Sequence, residues 1–83
     1  MEKEIRLSDM VQGEKAIIKK LLSKEDIKRR LLDIGMIEGT KIECIGYSPA
    51  KDPGAYLVRG AVIAIRKKDG RDILIERQGE LWK

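Results

Sequence analysis

The chain has 83 residues, of which 42% are hydrophobic and 39% charged, and its formal net charge is +4. A chain of this length forms one domain and buries only about 60 to 65% of its unfolded surface, so an active site between two domains is excluded. Histidine is absent and cysteine occurs once, at Cys44, which excludes an internal disulfide and removes the commonest general base.

The distribution of charged and apolar residues is that of a compact cytoplasmic domain. Acidic and basic residues interleave along both halves, a pattern that favours solubility over an electrostatic footprint for nucleic acid. The first six residues predict no signal peptide, and the longest apolar run, residues 60–65, is too short to cross a bilayer. We expect a single domain over residues 1–83, with its core at about 5–77 and a tail at 78–83.

Five short segments have the apolar spacing and the flanking turns of β-strands. After a turn at Gly13 the first strand is rich in Ile and Leu, and the second alternates so that Ile42 and Cys44 share one face. Residues 48–54 contain both prolines and form the one clear loop, and residues 67–70 end in Asp-Gly, which predicts a hairpin turn. The predicted strands are residues 15–22, 40–47, 55–59, 61–66 and 72–77.

One helix, residues 24–34, is predicted between the first two strands. Ser23 is a suitable N-cap, and Gly35 is a suitable left-handed residue after the last turn. A helix this short is not stable alone in water, so its apolar stripe must pack against the strands, while charged side chains four residues apart pair on its surface. The pairs are Glu25 with Arg29 and Asp26 with Arg30, and the stripe is Ile27, Leu31 and Ile34.

These elements predict a mostly β fold, a small five-stranded barrel with one inserted α-helix that plugs one end. Trp82, near the end of the chain, either covers the base of the barrel or belongs to a frayed tail, and the cover is favoured because an exposed tryptophan is unfavourable in water. The alternation of faces selects the side chains expected in the core, which are Ile27, Leu31, Ile34, Ile42, Cys44, Val58, Ile63 and Ile73.

The sequence lacks the patterns of catalytic and metal sites. Without histidine, ferrous iron has only carboxylates and one thiol as ligands, and Glu43 and Cys44 point to opposite faces of one strand. Cys44 has no nearby histidine or clustered cations and is interpreted as a buried structural thiol. The eight glycines lack the spacing of a phosphate-binding loop. We predict that the protein is not an enzyme and has no catalytic, cofactor-binding or metal-binding residues.

Four short motifs follow one another along the chain: Leu7-x-Asp9-Met10-x-x-Gly13-Glu14, Arg29-Arg30-Leu31-x-Asp33-x-Gly35-Met36-x-x-Gly39-Thr40-x-Ile42, Tyr47-Ser48-Pro49-x-x-Asp52-Pro53, and Val58-x-Gly60-x-x-Ile63-Ala64-Ile65-Arg66. Their order and spacing resemble the FeoA family, the small cytosolic component of bacterial ferrous iron uptake. The resemblance implies a Src-homology-3-like barrel, a domain type also found at the C-terminus of iron-dependent repressors. Residues 67–71 depart from the family pattern, because they are more turn-like and more basic than its short helical turn.

The resemblance also implies a partner, a membrane ferrous iron transporter, on whose cytosolic GTP-binding region the chain acts as a protein-binding module. We expect the contact surface on the proline-containing loop, because recognition usually lies on loops held by a rigid scaffold. The alternative for the loop is a solvated connector whose prolines only limit its entropy. The alternative for the cations of the helix is a solvated face that contacts no partner. The expected partner-binding residues are Lys51, Asp52, Tyr56 and Arg59, with Lys28 and Arg29 on the helix as the second candidate.

Two other functions are compatible with a small barrel of net positive charge. The first is nucleic-acid binding, but base stacking requires aromatic side chains on a basic face, and the chain has only Tyr47, Tyr56 and Trp82. The second is recognition of a proline-rich peptide, which requires an aromatic-lined groove made from the same three residues. We expect the transporter as partner, no insertion into the membrane, and no nucleic acid.

Overall fold

The computed structural model describes residues 4–77, which form six strands, two helices and a 3₁₀ turn, Leu7–Asp9. Each of the five predicted strands is present, with both ends within one residue of the prediction. Trp82, the expected cover of the barrel, lies outside the described residues. The strands are β1 (Ile5–Arg6), β2 (Lys15–Leu21), β3 (Lys41–Tyr47), β4 (Gly54–Val58), β5 (Ala61–Ile65) and β6 (Ile73–Arg77), and the helices are α1 (Glu25–Asp33) and α2 (Lys67–Gly70).

The six strands form one antiparallel sheet in the order β1-β6-β2-β3-β4-β5. Register shifts between Ile18 and Lys20 and between Cys44 and Gly46 are irregularities that bend the sheet around its core. Among the described residues no ladder joins β5 to β1, so the barrel is not closed, and its sheet has six strands and not the predicted five. The fold class, mostly β with one inserted helix, is confirmed.

The strand missing from the prediction is β1. It is two residues long, too short for any alternation to be visible in the sequence. It is a strand because of its pairing with β6, in which Ile5 lies opposite Ile75 and Arg6 opposite Leu74. The pairing is therefore a product of tertiary structure and not of local sequence.

The core lies between the inner face of the sheet and one side of α1. Ile27 and Ile63 are partly buried and pack against it. The prediction for Ile34 is wrong: its side chain is 41% exposed, because α1 ends at Asp33 and the chain leaves the helical path at Ile34 (φ −91°, ψ 6°). The predicted core residues that are fully buried are Leu31, Ile42, Cys44, Val58 and Ile73.

The start of α1 also differs from the prediction. The N-cap is Lys24, which makes no capping bond, and the hydroxyl of Ser23 is buried without a hydrogen-bond partner. Asp26 instead accepts a bond from the N–H of Ile27 at 2.8 Å. In the described part of the chain, none of the charged pairs predicted along the helix forms an ion pair within 4 Å. The prediction for the end of the helix is confirmed, since Gly35 has a φ of 101°.

Residues 67–70 form a one-turn helix and not the predicted hairpin turn. The N–H of Lys67 donates to Asp52 Oδ1 at 2.9 Å, and the N–H of Arg71 donates to the Lys67 carbonyl at 3.0 Å. Gly70 lies against the 3₁₀ turn, so close that a Cβ there would stand 3.4 Å from the Ser8 nitrogen. The Asp-Gly dipeptide predicted a hairpin turn from the local sequence alone. The helix forms instead with help from Asp52, which accepts the Lys67 N–H and lies 15 residues away in the chain.

Candidate partner-binding site

The loop between β3 and β4, residues 48–53, is held together by its own hydrogen bonds. The Ser48 hydroxyl donates to the Asp52 carbonyl (2.8 Å) and accepts from the Asp52 N–H (3.2 Å). The Lys51 N–H donates to the Ser48 carbonyl (2.7 Å), and the Ser48 N–H donates to the Pro53 carbonyl (3.2 Å). The loop therefore has a defined shape, which fixes the direction of the side chains that it presents.

Two of the expected binding residues, Lys51 and Asp52, occupy this loop in different surroundings. The Asp52 carboxylate accepts the hydrogen bond from the Lys67 N–H, so it holds the loop against the start of α2. Lys51 is exposed, with a φ of 71°, and within residues 4–77 its ammonium group makes no ion pair. Lys51 is thus a loop cation that a carboxylate of a partner can reach.

Tyr56, the third expected binding residue, is only 2% exposed. Its ring meets Tyr47 edge to face, with ring centroids 6.5 Å apart, and the Tyr47 hydroxyl donates to the Met10 carbonyl. A Cβ on Gly54 would stand 2.7 Å from Tyr56 Oη and 2.8 Å from Tyr47 Cε1, so only glycine fits there. The expectation that Tyr56 contacts a partner is incorrect, because its ring packs in the core.

Burial also changes the acidity of this cluster. It raises the pKa of Tyr56 well above the ordinary value of 10.0, and the hydrogen bond with Tyr47 raises it further. Burial likewise raises the pKa of Tyr47 and that of the buried Cys44 thiol. All three side chains are therefore neutral near pH 7, and Cys44 is a core residue and not a nucleophile.

Arg59, the fourth expected binding residue, lies at the other end of β4 from the loop. The five residues of β4 separate it from the loop by about 17 Å, at about 3.4 Å per residue. Its Cδ lies 3.5 Å from the position of a Cβ on Gly35, so its stem runs along the end of α1. The surface that was expected to join Arg59 to Lys51 is therefore two separate surfaces.

Two further cationic surfaces involve the candidate residues: a groove bordered by Arg59, and the helix α1. Arg59 borders a groove of about 430 Å³ together with Lys15 and Lys41. On α1, Arg29 is exposed and Lys28 is partly buried, and among residues 4–77 neither makes an ion pair within 4 Å. Contact between these two helix residues and a partner stays a prediction.

Sequence reasoning missed a surface at the edge of the sheet, between β5 and α1. Val62 on this strand is 64% exposed. The signal was present in the sequence, because residues 61–65 read Ala-Val-Ile-Ala-Ile, a composition that edge strands usually avoid. A groove of about 380 Å³ lies between the end of this strand and α1, and its apolar lining is Ile27, Leu31, Ile34, Ala64 and Ile65.

Within residues 4–77, no three side chains of the ligating types His, Cys, Asp or Glu come together at a possible metal site. None of the helices in this range is long and apolar enough to span a bilayer. The described surface offers separated cations, a compact loop and an apolar edge.

The chain is similar to known proteins of one family. The model of the FeoA domain matches residues 5–77. A FeoA-like protein of Clostridium acetobutylicum, solved by NMR, is 31% identical with a TM-score of 0.83, covering 93% of this chain and 90% of that one. The Fe(2+) transport protein A/Fe(2+) transporter FeoB fusion protein of Porphyromonas gingivalis is 26% identical over 72 residues, which are 87% of this chain. The chain spans only 8% of the length of that relative.

Two further solved structures share the fold at lower identity. The FeoA of Stenotrophomonas maltophilia complexed with zinc, described as a prokaryotic Src-homology-3 domain protein, has a TM-score of 0.71 at 20% identity, over 87% of this chain and 89% of that one. The IdeR of T. acidophilum has a TM-score of 0.79 at 23% identity, over 94% of this chain and 36% of that one. The fold expected from the sequence resemblance is confirmed. The expected likeness to one part of an iron-dependent repressor is confirmed by the IdeR structure.

Proposed function

The chain belongs to the FeoA family, which is linked to ferrous iron transport, and we propose that it is an accessory protein that binds the cytosolic GTP-binding region of a ferrous iron transporter. FeoA is not a known enzyme family, and the proposed role is not catalytic. The chain contributes a binding surface, while iron transport and nucleotide binding belong to the partner.

The observation that carries this proposal is the fusion relative. In the Porphyromonas gingivalis protein, a segment similar to 87% of this chain is part of one polypeptide with a FeoB transporter. Fusion holds two modules at a high effective concentration, whereas the same modules on separate chains must associate by affinity. The fusion therefore supports a transporter of that class as the partner.

The proposed contacts are cationic. Lys51 on the compact loop is the first, and Lys28 and Arg29 on α1 are the second candidate. Arg59 belongs with the end of α1 and not with the loop. Asp52 supports the surface indirectly, because it fastens the loop to α2.

Titration calorimetry of the chain against the purified cytosolic domain of a ferrous iron transporter tests the proposal. We expect binding that weakens as salt rises, because charges are screened beyond about 10 Å at about 0.1 M salt. Lys51→Ala should weaken binding severalfold and leave the melting temperature unchanged, with Lys19→Ala, an exposed lysine on β2, as the matched control. No heat of binding for the unmodified chain contradicts the proposal, and a loss confined to Lys28→Ala and Arg29→Ala moves the contact to the helix.

Titration with single-stranded RNA and with a proline-rich peptide tests the two alternative functions. Among residues 4–77, Tyr47 is the one exposed aromatic side chain, because Tyr56 is buried. A single ring is a poor platform for stacking bases or for lining a proline-binding groove. We expect no binding of either ligand, and tight binding of one of them would replace the transporter in the proposal.

A further inference from the structure

β5 is an edge strand without the protection that edge strands ordinarily carry. In the sheet formed by residues 4–77 it lies at one end, next to β4 alone. Natural proteins protect such edges with charged side chains, proline, bulges or a covering element. β5 contains neither a charge nor a proline, and it pairs with β4 in unbroken register over five residues. In the described part of the chain, no other element hydrogen-bonds to it.

The turn between β4 and β5 determines which backbone groups point outward. It has two residues, both with positive φ, and such a turn closes a hydrogen-bonded pair, here Val58 with Ala61. Hydrogen-bonded and non-hydrogen-bonded pairs alternate along an antiparallel ladder, so the N–H and C=O groups of Val62 and Ala64 point away from β4. Two donors and two acceptors therefore face the open side of the strand.

The groove between α1 and β5 has room for the side chains of an added strand. Ala64 and Ile65 line it on the strand side, and Ile27 and Ile34 line it on the helix side. Side chains alternate between the two faces of a strand. A strand added to β5 would therefore direct every second side chain to the face of Ile65, where the groove continues to α1, and the others to the face that Ala64 shares with the exposed Val62.

Positive charge at both ends of β5 indicates which kind of polypeptide segment can pair with it. Arg59 precedes the strand, Arg66 and two lysines follow it, and all four side chains are exposed. Two copies of the chain paired antiparallel through β5 would bring Arg66 of each copy near Arg59 of the other, and this repulsion disfavours a second copy. The groove also has a positive balance, since its charged lining is Arg30, Arg66, Lys68, Asp26 and Asp69.

We propose that β5 takes up a segment of the partner as an additional strand, an apolar stretch of about five residues with acidic residues at both ends. Backbone hydrogen bonds at Val62 and Ala64 supply the affinity, and the groove beside α1 supplies the preference for apolar side chains. The identity of the partner as the transporter rests on the proposed function, whereas the addition of a strand does not.

NMR titration with a designed peptide tests the strand addition without the transporter. The peptide alternates valine and isoleucine over five residues and carries two aspartates at each end. We expect the amide signals of Val62 and Ala64 to shift and their hydrogen exchange to slow, and the affinity to fall when salt rises from about 0.1 M to about 1 M. One control peptide has lysines in place of the aspartates, and another has N-methyl groups on alternate amides. Equal binding of all three peptides, or changes confined to other strands, overturns the proposal.

Ala64→Pro tests the same edge from the side of the protein. It removes an outward N–H and leaves the hydrogen bonds that Ile63 and Ile65 make to β4. We expect about tenfold weaker binding of the acidic peptide, with Ala64→Ser as a matched control that binds normally. Should Ala64→Pro fail to fold, Val62→Asp repels the acidic peptide from an exposed position and is expected to weaken binding in the same way. Unchanged affinity in the folded variant overturns the strand addition.

The transporter domain separates this proposal from the proposed function. If that domain binds the unmodified chain and Ala64→Pro equally well, and the acidic peptide does not bind, the strand addition fails and the proposed function stands. If the domain does not bind but the peptide slows exchange at Val62 and Ala64, the proposed function fails and β5 is a docking edge for another acidic partner.

Discussion

The two edges of the sheet are built differently. β1 is two residues long, and its Arg6 is engaged three times: the guanidinium donates to the Arg71 carbonyl (2.6 Å), the N–H donates to Asp9 Oδ2 (3.0 Å), and the side chain pairs with Glu4 (3.7 Å). β5 is five residues long and wholly apolar, and among residues 4–77 it is bonded to β4 alone. One edge is short and occupied by charged groups, and the other presents the outward N–H and C=O groups of Val62 and Ala64.

This difference separates an edge that resists pairing from an edge that permits it. A long apolar edge invites pairing with other chains, so proteins that do not use such an edge suppress it with charges or proline. Within the described residues, the chain suppresses pairing at β1 and leaves β5 open. The open edge also lies beside a groove and between cations, which are the features that recognition of an acidic strand requires.

The largest effect on stability is expected at Leu31, which forms the floor of the groove beside β5. It is buried, so Leu31→Ala should lower the free energy of unfolding by about 2–5 kcal/mol. Ile34→Ala, on the exposed wall of the same groove, should change it by less than about 0.5 kcal/mol. Urea denaturation measures both. If the two variants lose the same free energy of unfolding, then Ile34 is packed as tightly as Leu31 and the groove beside β5 is closed. The open surface that distinguishes β5 from β1 would then be absent.

The outcome at Ile34 also shows how far the sequence alone carries the structure. Residues 40–47 were predicted to within one residue, because one face of that strand is buried and the sequence alternates accordingly. Spacing along a helix shows which residues share a face, but it does not show where the helix stops. Ile34 fits the stripe of α1 and still falls outside it, since the helix ends at Asp33.

Features that depend on contacts distant in sequence were beyond prediction. β1 exists because β6 pairs with it, and α2 exists because Asp52 accepts its first N–H. The same is true of the candidate site. Lys51 was predictable as an exposed loop cation, whereas the burial of Tyr56 depends on Tyr47 and on a glycine that fits between the two rings.

The attachment of β5 to the sheet can be weakened at Gly54, which pairs with Ile65 at the end of the ladder. Gly54→Ala places a methyl group against the rings of Tyr47 and Tyr56, which must move to accommodate it. We expect the free energy of unfolding to fall by about 1–3 kcal/mol. In a Tyr47→Ala background the same change should cost less, because one of the two clashes is gone. Additive losses in that double variant would exclude Tyr47 as the source of strain.

Alkaline pH should loosen the cluster of Cys44, Tyr47 and Tyr56 on β3 and β4, where the Tyr47 hydroxyl bonds to the Met10 carbonyl. Burial raises the pKa values of Cys44, Tyr47 and Tyr56 above their ordinary values of 9.0, 10.0 and 10.0. The unfolded chain therefore loses these protons at a lower pH than the folded chain does. Their contribution to stability is complete below about pH 9 and is lost as the pH rises above that value.

Consider the pH range in which one of these groups has lost its proton in the unfolded chain and keeps it in the folded chain. There, each such group lowers the free energy of unfolding by about 1.4 kcal/mol per pH unit. Urea denaturation between about pH 8 and pH 11 measures the slope. Tyr56→Phe keeps the ring and removes one titrating group, so the slope should become shallower by one proton. An unchanged slope would show that Tyr56 titrates alike in the folded and unfolded chain.

The smallest effects are expected at the two edges themselves, and they compare the edges directly. Arg6→Ala removes the bond to the Arg71 carbonyl and the pair with Glu4, and it should lower the free energy of unfolding by about 1 kcal/mol. Val62→Ala shortens an exposed side chain and should change it by less than about 0.5 kcal/mol. For the isolated chain, β1 is thus the edge that contributes to stability.

Binding of the acidic peptide should reverse this order. A ligand that binds only the folded chain stabilises it by about 2.7 kcal/mol at a concentration a hundred times its Kd. The peptide should therefore raise the melting temperature of the unmodified chain and of Arg6→Ala by similar amounts, and that of Val62→Asp by much less. The opposite result, in which Arg6→Ala loses this stabilisation and Val62→Asp keeps it, would show that the peptide pairs with β1. The charged side chains of β1 would then bind a partner and would not protect the edge.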